Sequence, residues 1–222
     1  MQEHRSPSDI ERTSMQIINQ ELAARGVVLD EANGAVIRRV IHATADFDFA
    51  ETLRFTPEAV ARGIDGLKQG KNIITDTNMA RAGLSKPGLT RLGGEARCFM
   101  AEPEVAALAK EKDTTRAVAA MELAAERDPG AILAIGNAPT ALLKIAELIE
   151  AGHRPALVIG VPVGFVNVVE SKERIFQVCA AHGVPAIVAM GRKGGSTVAA
   201  AICNALIYTA TDMLDPKDRG WN

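Results

Sequence analysis

Aromatic side chains are scarce in this chain: Phe, Tyr and Trp together make up 4% of it, with one Trp and one Tyr. A site that holds a flavin between stacked rings would ask for more of them. Cysteine is sparse too. Cys98, Cys179 and Cys203 are odd in number and far apart, which argues against a disulfide framework or a cysteine-rich zinc site and points to a reducing cytoplasm. Neither sign of charge dominates, since 25 basic and 27 acidic residues leave a formal net charge of -2. That balance, with no basic block interleaved with aromatics, argues against an electrostatic nucleic-acid binder. No apolar run is long and uninterrupted enough to span a bilayer, and the leading MQEHRSPSDIERTS has no apolar signal core.

Several signatures of catalysis are also missing. There is no G-x-x-x-x-G-K-[ST] phosphate loop and no G-x-G-x-x-G turn after a strand, so neither nucleotide fingerprint applies. Neither Ser171 nor Ser196 sits in a G-x-S-x-G elbow. His4, His42, His153 and His182 are scattered without an H-x-x-x-H pair, which leaves no metal site to propose.

What the chain does have is 222 residues, 47% of them hydrophobic, enough to bury one substantial core, and residues 1–222 read as a single domain. Its later part repeats one device in AILAIGNAPTALLKIAEL, PALVIGVPVGFVNVVESKERIFQVC and PAIVAMGRKGGSTVAAAICNALIY. In each, a short apolar strand enters a loop of small or polar residues and an amphipathic helix follows. Such loops present backbone N–H groups and the positive end of a helix dipole, the chemistry of an anion pocket. Strands are predicted near 72–75, 97–100, 131–135, 156–161 and 185–190, and helices near 8–25, 31–44, 57–69, 103–111 and 114–127. This alternation predicts a three-layer α/β/α domain with a parallel sheet of about five strands, flavodoxin-like in type, preceded by additional helices. Spacing does not set the strand order.

The helix at 31–44 carries the best candidate for chemistry. Asp30 can cap its start, and Val36, Ile37, Val40 and Ile41 form an apolar stripe at helical spacing. At about 100° per residue, Arg38, Arg39 and His42 fall together on the other side. They form either a solvated face or an imidazole beside guanidiniums in a cleft, where Arg holds carboxylates and His exchanges a proton near neutral pH. In GRKGGSTVAAA, Arg192 and Lys193 precede Gly194, Gly195 and Ser196; in GNAPTAL, Asn137 and Thr140 flank a helix start. Each is an ordinary turn or part of a shared ligand rim. Asp46, Asp48 and Asp76 form a carboxylate site, or else cap and solvate the ends of their elements. Cys98 is read as a buried, inert residue of a strand.

Five strings, VIHATADFDFA, DTNMARAGLSK, GNAPTAL, PALVIGVPVGFVNVVESK and GRKGGSTVAAAICNAL, occur in order over nearly the whole chain and closely resemble the precorrin-8X methylmutase family of cobalamin biosynthesis. The resemblance implies a flavodoxin-like homodimer and an isomerisation that moves a methyl group between adjacent carbons of pyrrole ring C. It implies no metal, nucleotide or redox cofactor. By position within matching strings, His42 resembles the family histidine, a general acid. Arg39, Ser14, Ser85 in ARAGLSK and Arg116 in DTTRAVAA are then substrate contacts, joined by Asp76, Asn137, Thr140, Arg192, Gly194, Gly195 and Ser196 from the rim. Arg116 opens an Ala-rich helix suited to packing against a second subunit, or is a surface charge. Two further functions remain open: a tetrapyrrole carrier without turnover, which His42 argues against, and a flavodoxin-like nucleotide or flavin protein.

Overall fold

A computed structural model describes residues 6–219. The chain begins with α1 (Pro7–Ala24), capped by the Ser6 hydroxyl, which accepts from the Asp9 N–H. It continues through α2 (Glu31–Thr44), a one-turn α3 (Phe49–Thr52), β1 (Leu53–Phe55) and α4 (Ala59–Lys68). Then come β2 (Ile73–Thr75), the short helices α5 (Asn78–Ala82) and α6 (Lys86–Leu92), β3 (Ala96–Arg97), α7 (Pro103–Glu111) and α8 (Arg116–Arg127). The three repeated units supply β4 (Ile132–Ile135) with α9 (Pro139–Glu150), β5 (Leu157–Gly160) with α10 (Val168–Ala181), and β6 (Ala186–Ala189) with α11 (Ser196–Ala210). A 3-10 turn at Pro216–Arg219 follows.

The sheet runs β1-β6-β5-β4-β2-β3. Without β1, its five parallel strands have the flavodoxin-like order, first-entering strands β2 and β3 to one side and β4, β5 and β6 to the other. β1 is a sixth strand that the spacing does not predict. It pairs antiparallel at the edge, with Leu53 opposite Ala189 and Phe55 opposite Ile187. β3 ends sooner than expected, so Cys98 lies beyond it and is half-buried rather than a core strand residue.

β4, β5 and β6 are buried along their whole length because both faces are covered, and their side chains divide by the strand's period of two. Ile132, Ala134, Leu157, Ile159 and Ile187 join a core with α1, α2, α4 and α11; Leu133, Ile135, Val158 and Val188 join another with α7, α8, α9 and α10. α2 packs on α11, which lies on the sheet, so the apolar stripe Val36, Ile37, Val40 and Ile41 is at most 6% exposed. This packing fixes which way Arg39 and His42 point.

Candidate active site

The charged side of α2 is not a solvated face. Arg38 and Arg39 are both partly buried, and α1 lies against them: Arg38 Nε donates to Asn19 Oδ1 at 2.7 Å, and Arg39 Nη2 meets Glu11 Oε1 at 2.9 Å. Glu11 also accepts from Arg219 Nη2 at 2.6 Å, and both guanidiniums lie over the Tyr208 ring, 5.0 and 4.5 Å from its centroid. Burial pushes the Glu11 carboxyl up, but Arg219 and Arg39 outweigh it and hold it below the usual range. A glutamate on an amphipathic helix reads as solvated, so nothing in the sequence marked Glu11 as the anchor of this cluster.

His42 stands one turn beyond Arg39 and is half-buried. Burial first, then Arg39 and Arg219, lower its proton affinity below the ordinary imidazole value, while Glu11 works in the opposite direction. His42 and Ser14 line one open depression of about 270 Å³ with Ile17, Ile18, Glu21 and Phe47. The Ser14 hydroxyl donates to the Ile10 carbonyl at 2.8 Å and keeps its lone pairs to accept from a ligand. On the other side of α2, Arg39 lines a 230 Å³ cavity with Met79, Ser196, Thr197 and Asn204, where α11 begins without a side-chain cap. Arg39 also lines a cavity of 390 Å³ between α1, α2 and the 3-10 turn; His42 does not. His42 and Ser14 thus share a depression apart from that 390 Å³ cavity.

The three strand-to-helix loops do share a rim, but much of their backbone is spent on one another. Asp76, 1% exposed at the end of β2, accepts from Gly136 N–H at 2.9 Å, Asn137 N–H at 2.8 Å and Ala138 N–H at 2.7 Å. It fills the crevice between β2 and β4, where the strand order reverses and such sheets take their ligands. The amides expected to capture an anion there are satisfied from inside the protein. Burial raises the Asp76 carboxyl above its usual value against the pull of those three N–H groups. The glycines likewise serve packing: a Cβ on Gly194 would stand 2.2 Å from the Val161 carbonyl oxygen, and one on Gly136 would stand 2.7 Å from Ser196 Cα. Gly195, at φ +127°, is a glycine for conformational reasons.

The other expected contacts are spread around this rim. The Ser196 hydroxyl lies 2.8 Å from that of Thr77. Ser85 caps α6 and donates its N–H to Asn204 Oδ1 at 2.8 Å, so it stands one residue behind the Arg39 cavity. Asn137 is exposed beside the Asp76 crevice, and Thr140 faces Thr115, the cap of α8, at 3.3 Å between hydroxyls. Arg192 is exposed against Phe165, 5.5 Å from guanidinium carbon to ring centroid. Arg116 opens α8 on the opposite side of the sheet from α2, and it is exposed. Asp46 and Asp48, read either as part of a carboxylate site or as capping and solvating residues, both bind Lys193 Nζ, at 2.6 and 2.7 Å, and so tie the exit of α2 to the glycine-rich loop. His153 and His182 lie away from the site at element ends, and His4 falls outside the described residues. Among the described residues no group of three His, Cys, Asp or Glu side chains could hold a metal, and no helix is long and apolar enough to cross a membrane.

Comparison with known proteins shows the family of the chain. Residues 9–209 match the family model of precorrin-8X methylmutase. The chain is 40% identical to the cobalt-precorrin-8 methylmutase of Priestia megaterium, over 92% of this chain and 88% of that one. It is also 40% identical to the precorrin-8X methylmutase of Pseudomonas aeruginosa, over 89% and 93% of the two chains. The solved structure of precorrin-8X methyl mutase from Thermus thermophilus superimposes with a TM-score of 0.82 at 42% identity, covering 91% of this chain and 98% of that one. The chain belongs to the precorrin-8X methylmutase family and is, by that membership, a methyl-shifting isomerase.

Proposed function

We propose that the protein moves a methyl group between adjacent carbons of ring C of precorrin-8X, or of its cobalt-containing counterpart, to give the hydrogenobyrinic or cobyrinic acid skeleton, with His42 as general acid. The observation that carries this reading is the pairing of a half-buried His42 with Arg39 one turn away, beside Ser14 on the facing helix. Protonation at ring C makes its conjugated system a better acceptor for the migrating methyl group, and a positioned imidazole supplies that proton. The substrate returns the proton after the shift, so the reaction is a net isomerisation, and the family resemblance implies no metal, nucleotide or redox cofactor.

The lowered proton affinity of His42 gives the substrate a part in its own activation. A macrocycle bearing several carboxylates brings negative charge to Arg39, offsetting one of the causes that lower the proton affinity of the imidazole. Binding thereby favours the protonated form. Ser14 and Arg39 contact the ligand from the α1–α2 side; Arg192, Gly194, Gly195 and Ser196 do so from the rim, with Asn137, Thr140 and Ser85 around them and Asp76 holding the loops. Arg116, on the opposite layer, reaches the site of a second subunit, which makes the enzyme a homodimer with shared sites. Three free thiols suit a cytoplasmic setting.

The test is the titration of the His42 imidazole by NMR, in the free protein and saturated with hydrogenobyrinic acid. Its apparent pKa is expected to rise on binding. An unchanged or lower value in the complex contradicts the acid role.

A further inference from the structure

Lys172 is a charged residue the site does not otherwise use. It lies on α10, is 0% exposed, and donates from Nζ to the carbonyls of Gly191 and Lys193, each at 2.8 Å. No carboxylate of the described residues stands within ion-pair range of it. Burial alone pulls its pKa down to about 8. A cation kept in the interior with only carbonyl partners costs stability, and a hydrophobic side chain would fill the same space without that cost.

The two carbonyls belong to the loop that carries Arg192 and leads into α11. Further contacts hold this loop: Gly195 N–H donates to the Val161 carbonyl at 2.8 Å, Gly164 N–H to the Arg192 carbonyl at 3.2 Å, and Lys193 reaches Asp46 and Asp48. The Lys193 contacts are exposed and open to competition by water and salt. Lys172 is the side chain that grips the loop from the dry side. We infer that Lys172 is a positioning residue, whose buried ammonium sets the 191–195 loop so that Arg192 and the first residues of α11 are presented to a carboxylate of the substrate. The inference rests on the reading of Arg192 as a substrate contact.

A double-mutant cycle with hydrogenobyrinic acid as ligand tests it, followed by absorption, alongside amide hydrogen exchange of the ligand-free protein. Lys172→Met keeps the side chain's length and removes its donors. In ligand-free Lys172→Met the amides of Gly195 and Gly164 are expected to exchange faster. Affinity is expected to fall about tenfold in the native background and by less than about twofold in Arg192→Ala, the non-additivity of residues acting through one element. Lys172→Gln retains an uncharged donor and is expected to lie between Lys172→Met and the native protein, and it serves if the methionine variant fails to fold. Native exchange at Gly195 and Gly164 in either variant overturns the positioning role. So do independent, additive losses of affinity. Should Arg192→Ala bind as tightly as the native protein, Arg192 is no substrate contact, and the exchange result alone decides whether Lys172 sets the loop.

Discussion

Replacing Asp76 by Asn separates two roles open to a buried acid on a ligand rim. Its two oxygens accept three backbone N–H groups, one on Oδ1 and two on Oδ2, inside a site that is 1% exposed. An asparagine offers one oxygen and one NH₂ group, so in either orientation at least one of those N–H groups faces a donor. An unsatisfied buried donor costs about 1–3 kcal/mol. The relief of no longer burying a charge offsets part of this, leaving a net loss of about 1 kcal/mol, or roughly 2–4 °C in melting temperature for a chain of this size. Asp76→Ala, which orphans all three, is expected to lose clearly more than Asp76→Asn. Urea unfolding measures both. If Asp76→Asn instead unfolds with the native protein while its affinity for hydrogenobyrinic acid collapses, the carboxylate serves the ligand and the crevice is open to it.

Other expectations follow from the same contacts. Because folding lowers the proton affinity of His42, the unfolded chain takes up a proton near pH 6.5 that the folded chain takes up only at lower pH. The stability this group leaves intact above pH 6.5 is lost as pH falls through that window, and His42→Asn is expected to flatten the fall measured by urea unfolding at successive pH values; parallel curves would be the contrary result. Gly194→Ala presses a Cβ onto the Val161 carbonyl and is expected to cost about 1–3 kcal/mol. Gly191→Ala, with open space at φ +75°, is expected to cost only the left-handed penalty of about 1 kcal/mol, and thermal melts that rank the two in reverse refute the packing argument. Mixing inactive His42→Ala subunits with inactive Arg116→Ala subunits is expected to restore part of the activity in heterodimers; heterodimers that form without any recovery speak against a shared site.

The parts of the molecule legible in the sequence are those set by local periodicity. β4, β5 and β6 stood out because strands covered on both faces are apolar throughout, and the 100° step of a helix was enough to group Arg38, Arg39 and His42. What covers that group was not legible. Glu11 lies 28 positions before Arg39, and only tertiary packing brings α1 against α2. β1 escaped notice because LRF is three residues long and becomes a strand by pairing with β6, more than 130 positions later. Asp76 looked like one more acid at a strand end, and its function depends on backbone N–H groups 60 to 62 positions away. Nothing in the sequence singled out Lys172 for the same reason: the loop whose carbonyls it holds comes 19 to 21 positions later.

The central claim is that His42 donates the proton for the methyl shift, and single-turnover conversion of bound precorrin-8X by His42→Ala tests it most directly. The variant leaves Arg39, Ser14 and the rim in place, so its affinity for hydrogenobyrinic acid is expected to stay within a few-fold of native. Its rate is expected to fall by about 10²–10⁴-fold, the usual contribution of a positioned general acid. A His42→Ala protein that folds, binds and converts precorrin-8X at the native rate contradicts the account.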